Sequence, residues 1–352
     1  MTSKTSLRSA ADLQGRLCSE HGSPTWAAVI AAIDDQLDDS TSATSRLLLN
    51  DPRDPVESAV FLRILGAVHR LLLLGISSDL SRYLPSLGGQ TSPHLAAKAF
   101  LTFVGEHENR VQAEMQHPVQ TNEVARSGIL SAGLRTIVAE THLPVRLLEV
   151  GSSAGLNLRL DEYRIHMGEE FWGPEDSPVV LDHLLNSGQP DGAAFVIVDR
   201  AGCDLSPINA ASDAGQVRLR SFIWPEDRVR MSRLNAALSV FEPVRIDAAS
   251  ATDWVRSQCA TPQTGHVTVV MHSIVMPYLT GAERQEFVTV MDDLGAQAAT
   301  DAPLAWLRME FDDNYGTVSL ELDLWPLNRH EVLATCNPHG ANINWLPVAS
   351  RT

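Results

Sequence analysis

The sequence predicts an α/β protein in which a helical N-terminal domain, residues 1–143, precedes a mostly parallel sheet, residues 144–352, that ends in an antiparallel hairpin. Before Pro144 the apolar residues recur at intervals of three and four. Beyond it, short apolar runs alternate with helix-length segments, the signature of a parallel sheet covered on both faces. The last two runs flank a Trp-Pro turn. With 352 residues, 44% of them hydrophobic and 20% charged, the chain can build a large core as one big domain or two smaller ones.

In chain order, Phe100, Phe103, Val104, His107 and Val111 share one face of a helix that opens near Ser92 and Pro93, with Ser92 as its cap. A second helix is expected from Asn122 to about Thr141, burying Leu130, Leu134, Ile137 and Val138. The predicted parallel strands are Val145–Val150, Ala194–Val198, Val244–Ile246, Val267–Met271 and Leu304–Met309. Val318–Leu324 and His330–Cys336 form the closing hairpin. No internal repeat or low-complexity segment is present.

A formal charge of −16 provides no basic surface for a phosphate backbone, which argues against nucleic acid and for a small-molecule or peptidic partner. No apolar run has membrane-spanning length and the N-terminus lacks a signal-peptide core, so a cytoplasmic, membrane-free location is expected. Cys18, Cys203, Cys259 and Cys336 form no CxxC pair, and the twelve histidines contain no pair at helical ligand spacing; no metal is expected. Composition leaves the oligomeric state open.

The most informative segment is Arg146-Leu-Leu-Glu149-Val-Gly151-Ser152-Ser153-Ala154-Gly155-Leu-Asn157-Leu. It reads as a buried strand, a turn of small residues that lets a ligand approach the backbone, and a helix start. No GK[ST] is present after it, so it is not a P-loop, and its glycine spacing is wrong for a dinucleotide fingerprint. It does match G-x-S-x-G, which would make Ser153 the nucleophile of an esterase-like hydrolase. That scaffold needs earlier strands and an oxyanion loop, whereas everything upstream reads as helical. A connection with no ligand is the third alternative.

Further along, Gly202-Cys203-Asp204-Leu205-Ser206-Pro207 and Val244-Arg-Ile-Asp247-Ala248 each place an aspartate close after an apolar run. Glu170 and Asp199 compete with Asp204 for the first of these positions, and preferring Asp204 assumes an insertion over about Arg159–Gly192. The fourth strand ends in His272-Ser273, where His272 is the candidate general base and Ser273 a candidate substrate or turn contact. Asn122 and Glu123 suit a helix start, and Arg126 lies one turn in. Trp224-Pro225-Glu226 reads as a helix opening, Pro338-His339-Gly340 as a tight turn and His107 as a packed core residue.

The strand ending in an acidic residue two positions before the first glycine resembles the [DE]-x-G-x-G-x-G motif of class I S-adenosylmethionine-dependent methyltransferases, with Ser153 in place of the middle glycine. Val119–Val124, Leu148–Leu158, Gly202–Pro207, Ile223–Glu226, His272-Ser273 with Tyr278-Leu279, and Asn337–Gly340 with Trp345 together resemble an uncharacterised bacterial family, domain of unknown function 2332. The two resemblances imply a Rossmann-like methyltransferase domain behind the helical part, with S-adenosylmethionine as cofactor. The implied cofactor-binding residues are Glu149, Gly151, Ser152, Ser153, Gly155 and Asn157 at the loop, together with Asp204 and Leu205, Asp247 and Ala248, Ser273, Asn122 and Arg126. Within that set Asp204 would accept the ribose hydroxyls, Asp247 the adenine amino group, and Arg126 would pair with the methionine carboxylate. The implied reaction is methyl transfer to a small-molecule or peptidic acceptor, with His272 as catalytic base; the competing reading is a binding or regulatory protein that keeps the fold without turnover.

Overall fold

The structure, a computed structural model, describes residues 2–312 and 317–347. The helices and strands alternate as the pattern after Pro144 predicts, and they separate into two compact units, residues 1–121 with 212–232, and residues 122–211 with 233–352. The boundary at Asn122 differs from the expected 143/144, because the helix ahead of the first strand belongs with the sheet.

The first unit contains α1 (Lys4–Glu20), α2 (Pro24–Asp35), α3 (Ala43–Leu49), α4 (Val60–Leu73) and α5 (Pro93–Glu114). Its core is built from the predicted period: Phe100, Phe103, Val104 and Val111 of α5 are buried, and Trp26 of α2 meets Phe100 edge-on. Two expectations for α5 need correction. Ser92 makes no side-chain cap, since Pro93 at the first helical position already removes one unpaired N–H, and His107 is half-buried at a kink (φ −127°, ψ 25°) instead of lying within a uniform face. The Trp224–Glu226 segment serves the N-terminus of α2: Glu226 accepts the Ser23 hydroxyl at 2.9 Å and the Thr25 amide at 3.0 Å.

The second unit begins with α6 (Arg126–Thr141) and β1 (Val145–Val150). The segment between β1 and β6, where an insertion is expected, carries β2 (Arg164–Met167), β3 (Glu170–Trp172) and β4 (Val180–Leu181) as a separate small sheet, then β5 (Leu185–Ser187). β6 (Ile197–Asp204) leads to α7 (Asp213–Ser221), which belongs to the first unit, and on to α8 (Arg228–Ser239), β7 (Arg245–Ala248), α9 (Ala251–Gln258), β8 (Val267–Ser273), α10 (Gly281–Gly295) and β9 (Leu304–Phe311). β10 (Val318–Trp325), β11 (Arg329–Cys336) and β12 (Ile343–Trp345) close the chain.

The main sheet has the order β5-β12-β11-β10-β9-β8-β1-β6-β7. β7, β6, β1, β8 and β9 are mutually parallel, while β9, β10 and β11 form an antiparallel meander. From β1 the chain winds first to β6 and β7, then returns to β8 and β9 on the other side. The strand order therefore reverses between β1 and β8, the place where parallel α/β sheets open a crevice at their carboxyl ends. Leu148 and Val150 pack with Trp254 of α9 and Phe287 of α10 on one face. By strand alternation Leu147 and Glu149 face the opposite side, that of α6, where a Cβ at Gly133 would meet Leu307 Cδ1 at 2.6 Å.

The first unit holds a buried ion pair. Asp51 is bonded to Arg53 and to the fully buried Arg63, whose Nε also donates to the Met115 carbonyl at 2.9 Å. Burial raises the Asp51 pKa, yet hydrogen bonds from Arg53 and Arg63 outweigh it and hold the carboxyl at about 2. Being depressed below its ordinary value of 3.8, Asp51 contributes stability that is present above about pH 3.8 and lost as pH falls towards 2. Asp51→Ala should cost about 3–5 kcal/mol at neutral pH in urea unfolding, because it strands the buried guanidinium. A loss below about 1 kcal/mol would show that Arg63 finds another partner.

Candidate functional site

The crevice at the carboxyl ends of β1, β6 and β8 collects most of the residues that the sequence nominated. The loop after β1 is built tightly: Gly151 has φ +67° and a Cβ there would meet Val275 at 2.5 Å, while Gly155 has φ +76° and lies against Val244 and Ile246. Ser153 also occupies the left-handed region, at φ +53°. Ser152 fixes the loop to β6, its amide and hydroxyl both donating to the Cys203 carbonyl at 3.0 and 3.2 Å. Gly202 is required opposite, since any side chain would collide with the Ser152 hydroxyl.

Beyond the loop the chain makes a short 3-10 turn, Asn157–Glu162, in place of the expected helix. The loop amides are consumed within the protein: Ser153 N–H donates to Asp204 at 2.9 Å, and Ala154 and Leu156 N–H both donate to the Asn122 side-chain oxygen at 3.3 and 3.0 Å. Asn122 is therefore a clamp on the glycine loop; the expected helix start at that residue is corrected to Arg126. The anion-binding helix terminus expected after the loop is absent among the described residues, for the physical reason that Asn122 already takes its donors.

Glu149 lies beneath this loop and is only 2% exposed. The Asn157 amide hydrogen-bonds its carboxyl, while Asn157 accepts the Ser127 hydroxyl at 2.8 Å. The second carboxyl oxygen, Oε2, has no hydrogen-bond partner among the described residues. Burial pushes the Glu149 pKa up to about 8; the Asn157 hydrogen bond lowers it, the charge of Asp204 raises it and that of Arg126 lowers it. Glu149, Asp204 and Arg126 thus sit within electrostatic reach of one another.

Arg126 is itself buried, donating from Nε to the Pro338 carbonyl at 3.0 Å and from a terminal nitrogen to the Ser273 carbonyl and hydroxyl at 3.0 and 3.3 Å. The Pro338–Gly340 turn, with Gly340 against the Arg126 backbone, is a wall of this site. Asp204 lies at the end of β6, accepting the Ser206 amide at 2.8 Å as well as that of Ser153. Beside it Leu205 is 80% exposed and Ala248 is exposed too, an apolar shelf at the strand ends. The competitors of Asp204 lie elsewhere. Asp199 pairs with Arg146 near the start of β6, and Glu170 belongs to β3, where it binds Arg135 and the Trp172 indole.

Two expectations are corrected. His272 is in register with Val150 and so projects onto the α9–α10 face, away from Glu149 and Asp204. Both its nitrogens are engaged: Nδ1 bonds Glu310 at 2.6 Å and Nε2 accepts the Trp306 indole N–H at 2.9 Å. A ring nitrogen that accepts an indole proton offers no lone pair to a substrate, so the arrangement gives His272 a structural role instead of that of a base. Asp247, in register with Cys203, likewise faces α9, and its carboxylate is occupied by Arg245 and by the Trp254 indole at 2.8 Å. It therefore points away from the face that carries Glu149 and Asp204.

Sequence reasoning missed Glu310. Besides His272 it accepts the Val275 and Met276 amides at 2.8 and 3.3 Å, shaping the segment that covers Gly151. Its only signal was position: a carboxylate one residue beyond the apolar run that was ended at Met309. No cluster of three or more His, Cys, Asp or Glu residues suited to a metal occurs among the described residues. No helix there is long and apolar enough to cross a membrane.

The family described as an uncharacterized protein conserved in bacteria (DUF2332) matches residues 8–345. The chain belongs to this family. A search of the curated proteins finds no match. The family assignment spans both units, so the glycine loop, Asn122, Arg126 and the Pro338–Gly340 turn all fall within one DUF2332 domain.

Glu149 yields a pH prediction. Its folded value of about 8 lies above its ordinary 4.5, so the folded protein keeps a proton that the unfolded chain loses. The contribution to stability is complete below about pH 4.5 and declines as pH rises to about 8, by up to about 1.4 kcal/mol per unit. Glu149→Gln should therefore narrow the fall in Tm between pH 5 and pH 8 seen by calorimetry of the native protein. Parallel curves for the two proteins would show that Glu149 ionises normally.

Proposed function

We propose that this DUF2332 protein binds S-adenosylmethionine at the carboxyl ends of β1, β6 and β7 and transfers its methyl group to a small-molecule or peptidic acceptor. One observation carries the reading. A buried carboxyl with an unpartnered oxygen, Glu149, lies under a glycine loop at the sheet's switch point, between the cation Arg126 and the acid Asp204.

The residues present fit the cofactor. Arg126 supplies positive charge for the methionine carboxylate, and the open Glu149 oxygen suits an ammonium group. Asp204, at the end of β6, brings a carboxylate of the kind that accepts ribose hydroxyls, and Leu205 and Ala248 offer an exposed apolar contact for a purine. When bound, the sulfonium would supply an activated methyl group for in-line displacement. The protein's own contribution is alignment and exclusion of water: Gly151 and Gly155 keep the loop low, and Asn122 and Asp204 hold it rigid. Arrival of a cation beside Glu149 would favour its ionised form, so binding should release a proton near neutral pH.

The engagement of both His272 nitrogens favours a second reading, in which the chain binds the cofactor without turnover. Methyl transfer in an acceptor screen separates the two.

In calorimetry, S-adenosylmethionine and S-adenosylhomocysteine should bind while NAD does not, and S-adenosylhomocysteine should raise Tm by mass action. Asp204→Ala should weaken binding by about 1.5–3 kcal/mol, whereas Asp199→Ala should leave it unchanged. Absence of both heat and Tm shift at saturating concentration sinks the cofactor reading.

The esterase alternative turns on Ser153, whose hydroxyl is buried and has no hydrogen-bond partner among the described residues, hence no base to activate it. A fluorophosphonate probe should leave Ser153 unlabelled, and Ser153→Gly should bind S-adenosylhomocysteine as well as the native protein or better. Stoichiometric labelling at Ser153 would replace the methyltransferase reading with a hydrolase.

A further inference from the structure

β7 is the last strand of the main sheet on its β6 side, and no strand pairs with its outer margin among the described residues. Its peptide groups divide by parity. Ala249 N–H donates inward to the Asp204 carbonyl at 3.2 Å, continuing the parallel register that pairs Ala248 with Asp204. Alternation therefore turns the N–H and C=O groups of Arg245 and Asp247 towards β6, and those of Val244, Ile246 and Ala248 outwards. An edge of this kind is a template for another strand, and its side chains decide which strand it accepts.

The side chains divide in the same way. Val244 and Ile246 lie against Gly155, where a Cβ would meet them at 2.6 and 3.0 Å. Arg245 and Asp247 stand together on the α9 face, joined by bonds of 3.0 and 2.7 Å, and the Arg245 side chain is 63% exposed. In a chain of net charge −16, this edge carries one cation and one anion, placed on either side of Ile246.

That arrangement is complementary to itself. When two β7 strands run antiparallel with Ile246 opposite Ile246 of the partner subunit, Arg245 falls opposite Asp247 of the partner subunit, and Asp247 opposite the partner's Arg245. These are the non-hydrogen-bonded positions, where facing side chains come closest and opposite charges stabilise. The hydrogen-bonded positions fall to the residues whose peptide groups point outwards: Ile246 with its own copy, and Val244 with Ala248 of the partner subunit. The least slide that keeps outward groups facing each other sets Arg245 against the partner's Arg245, or Asp247 against the partner's Asp247. Like charges directly opposite are destabilising, so charge and backbone parity select one register.

An exposed apolar margin continues the edge. Pairing of β6 with β7 begins at Ala201, so β6 runs ahead of β7 over Ile197–Arg200, and Val196 and Val198 there are 66% and 49% exposed. A strand laid antiparallel on β7 runs on towards this overhang.

We propose that two copies of this chain associate across a two-fold axis at Ile246, joining their β7 strands antiparallel into one continuous sheet. The interface adjoins the glycine loop through Val244 and Ile246 and requires no cofactor.

The test is sedimentation velocity and light scattering on the full chain without added ligand. The native protein should be a dimer at micromolar concentration. Arg245→Asp, at an exposed side chain, sets acid against acid in both pairs and should weaken the dimer about tenfold or more. Asp247→Arg should do the same by setting base against base, and an equimolar mixture of the two variants should recover a heterodimer, because each then meets its opposite. Ile246→Pro removes the central outward N–H and no inward one, and should also weaken association about tenfold. It keeps the test decisive if Asp247→Arg, which loses the Trp254 bond as well, fails to fold by circular dichroism. A native chain that is monomeric up to about 100 μM, a dimer indifferent to Arg245→Asp or to Ile246→Pro, or two folded charge variants that stay monomeric when mixed would each overturn the proposal. A protein that dimerises in this pattern yet ignores S-adenosylhomocysteine sinks the cofactor reading alone.

Discussion

Taking the Glu149 carboxyl out of water costs free energy in either protonation state, and the surroundings are arranged so that only part of the cost is returned. One oxygen is served by Asn157, the other is left open, and the proton is retained at neutral pH. Asn157 is oriented by Ser127 of α6, and the loop above is clamped by Asn122 just ahead of α6. A helix that belongs to the sheet unit and not to the helical N-terminal unit is thus what makes the strand end habitable for a carboxyl.

The two faces of the sheet divide the work. On the α9–α10 face Glu310, His272 and Trp306 form a closed chain of hydrogen bonds backed by Phe287, and this chain shapes the Val275–Met276 segment through its amides. On the α6 face lie Glu149, whose Oε2 has no hydrogen-bond partner among the described residues, and, within its electrostatic reach, Asp204 and Arg126. The closed network makes one wall rigid.

The helical unit solves its own problem in the same idiom. Asp51 and Arg63 neutralise each other deep in the core, and Glu226, from a segment returning late in the chain, satisfies the start of α2. A chain excursion of about 200 residues is needed to meet two donors, so α2 cannot be completed by local sequence alone.

The sequence by itself determined the change of architecture near Pro144 and the central strands. β1, β8 and β9 are buried along nearly their whole length, and burial on both faces forces an unbroken apolar run that composition reveals. β6 and β7 were displaced, Ala194–Val198 against Ile197–Asp204 and Val244–Ile246 against Arg245–Ala248, because these strands expose charged residues such as Asp199 and Arg245 and so lose that signature. The strand-to-loop turn at Gly151–Gly155 was legible from residue type and spacing. What only the tertiary structure decided is register and face. In a strand, one residue's difference turns a side chain to the other side of the sheet, and nothing local to β8 states that His272 lies opposite Val150 instead of Glu149. The same parity carries Asp247 to α9, while the fold around it brings Arg126, Ser273 and Pro338, far apart in the chain, to one crevice.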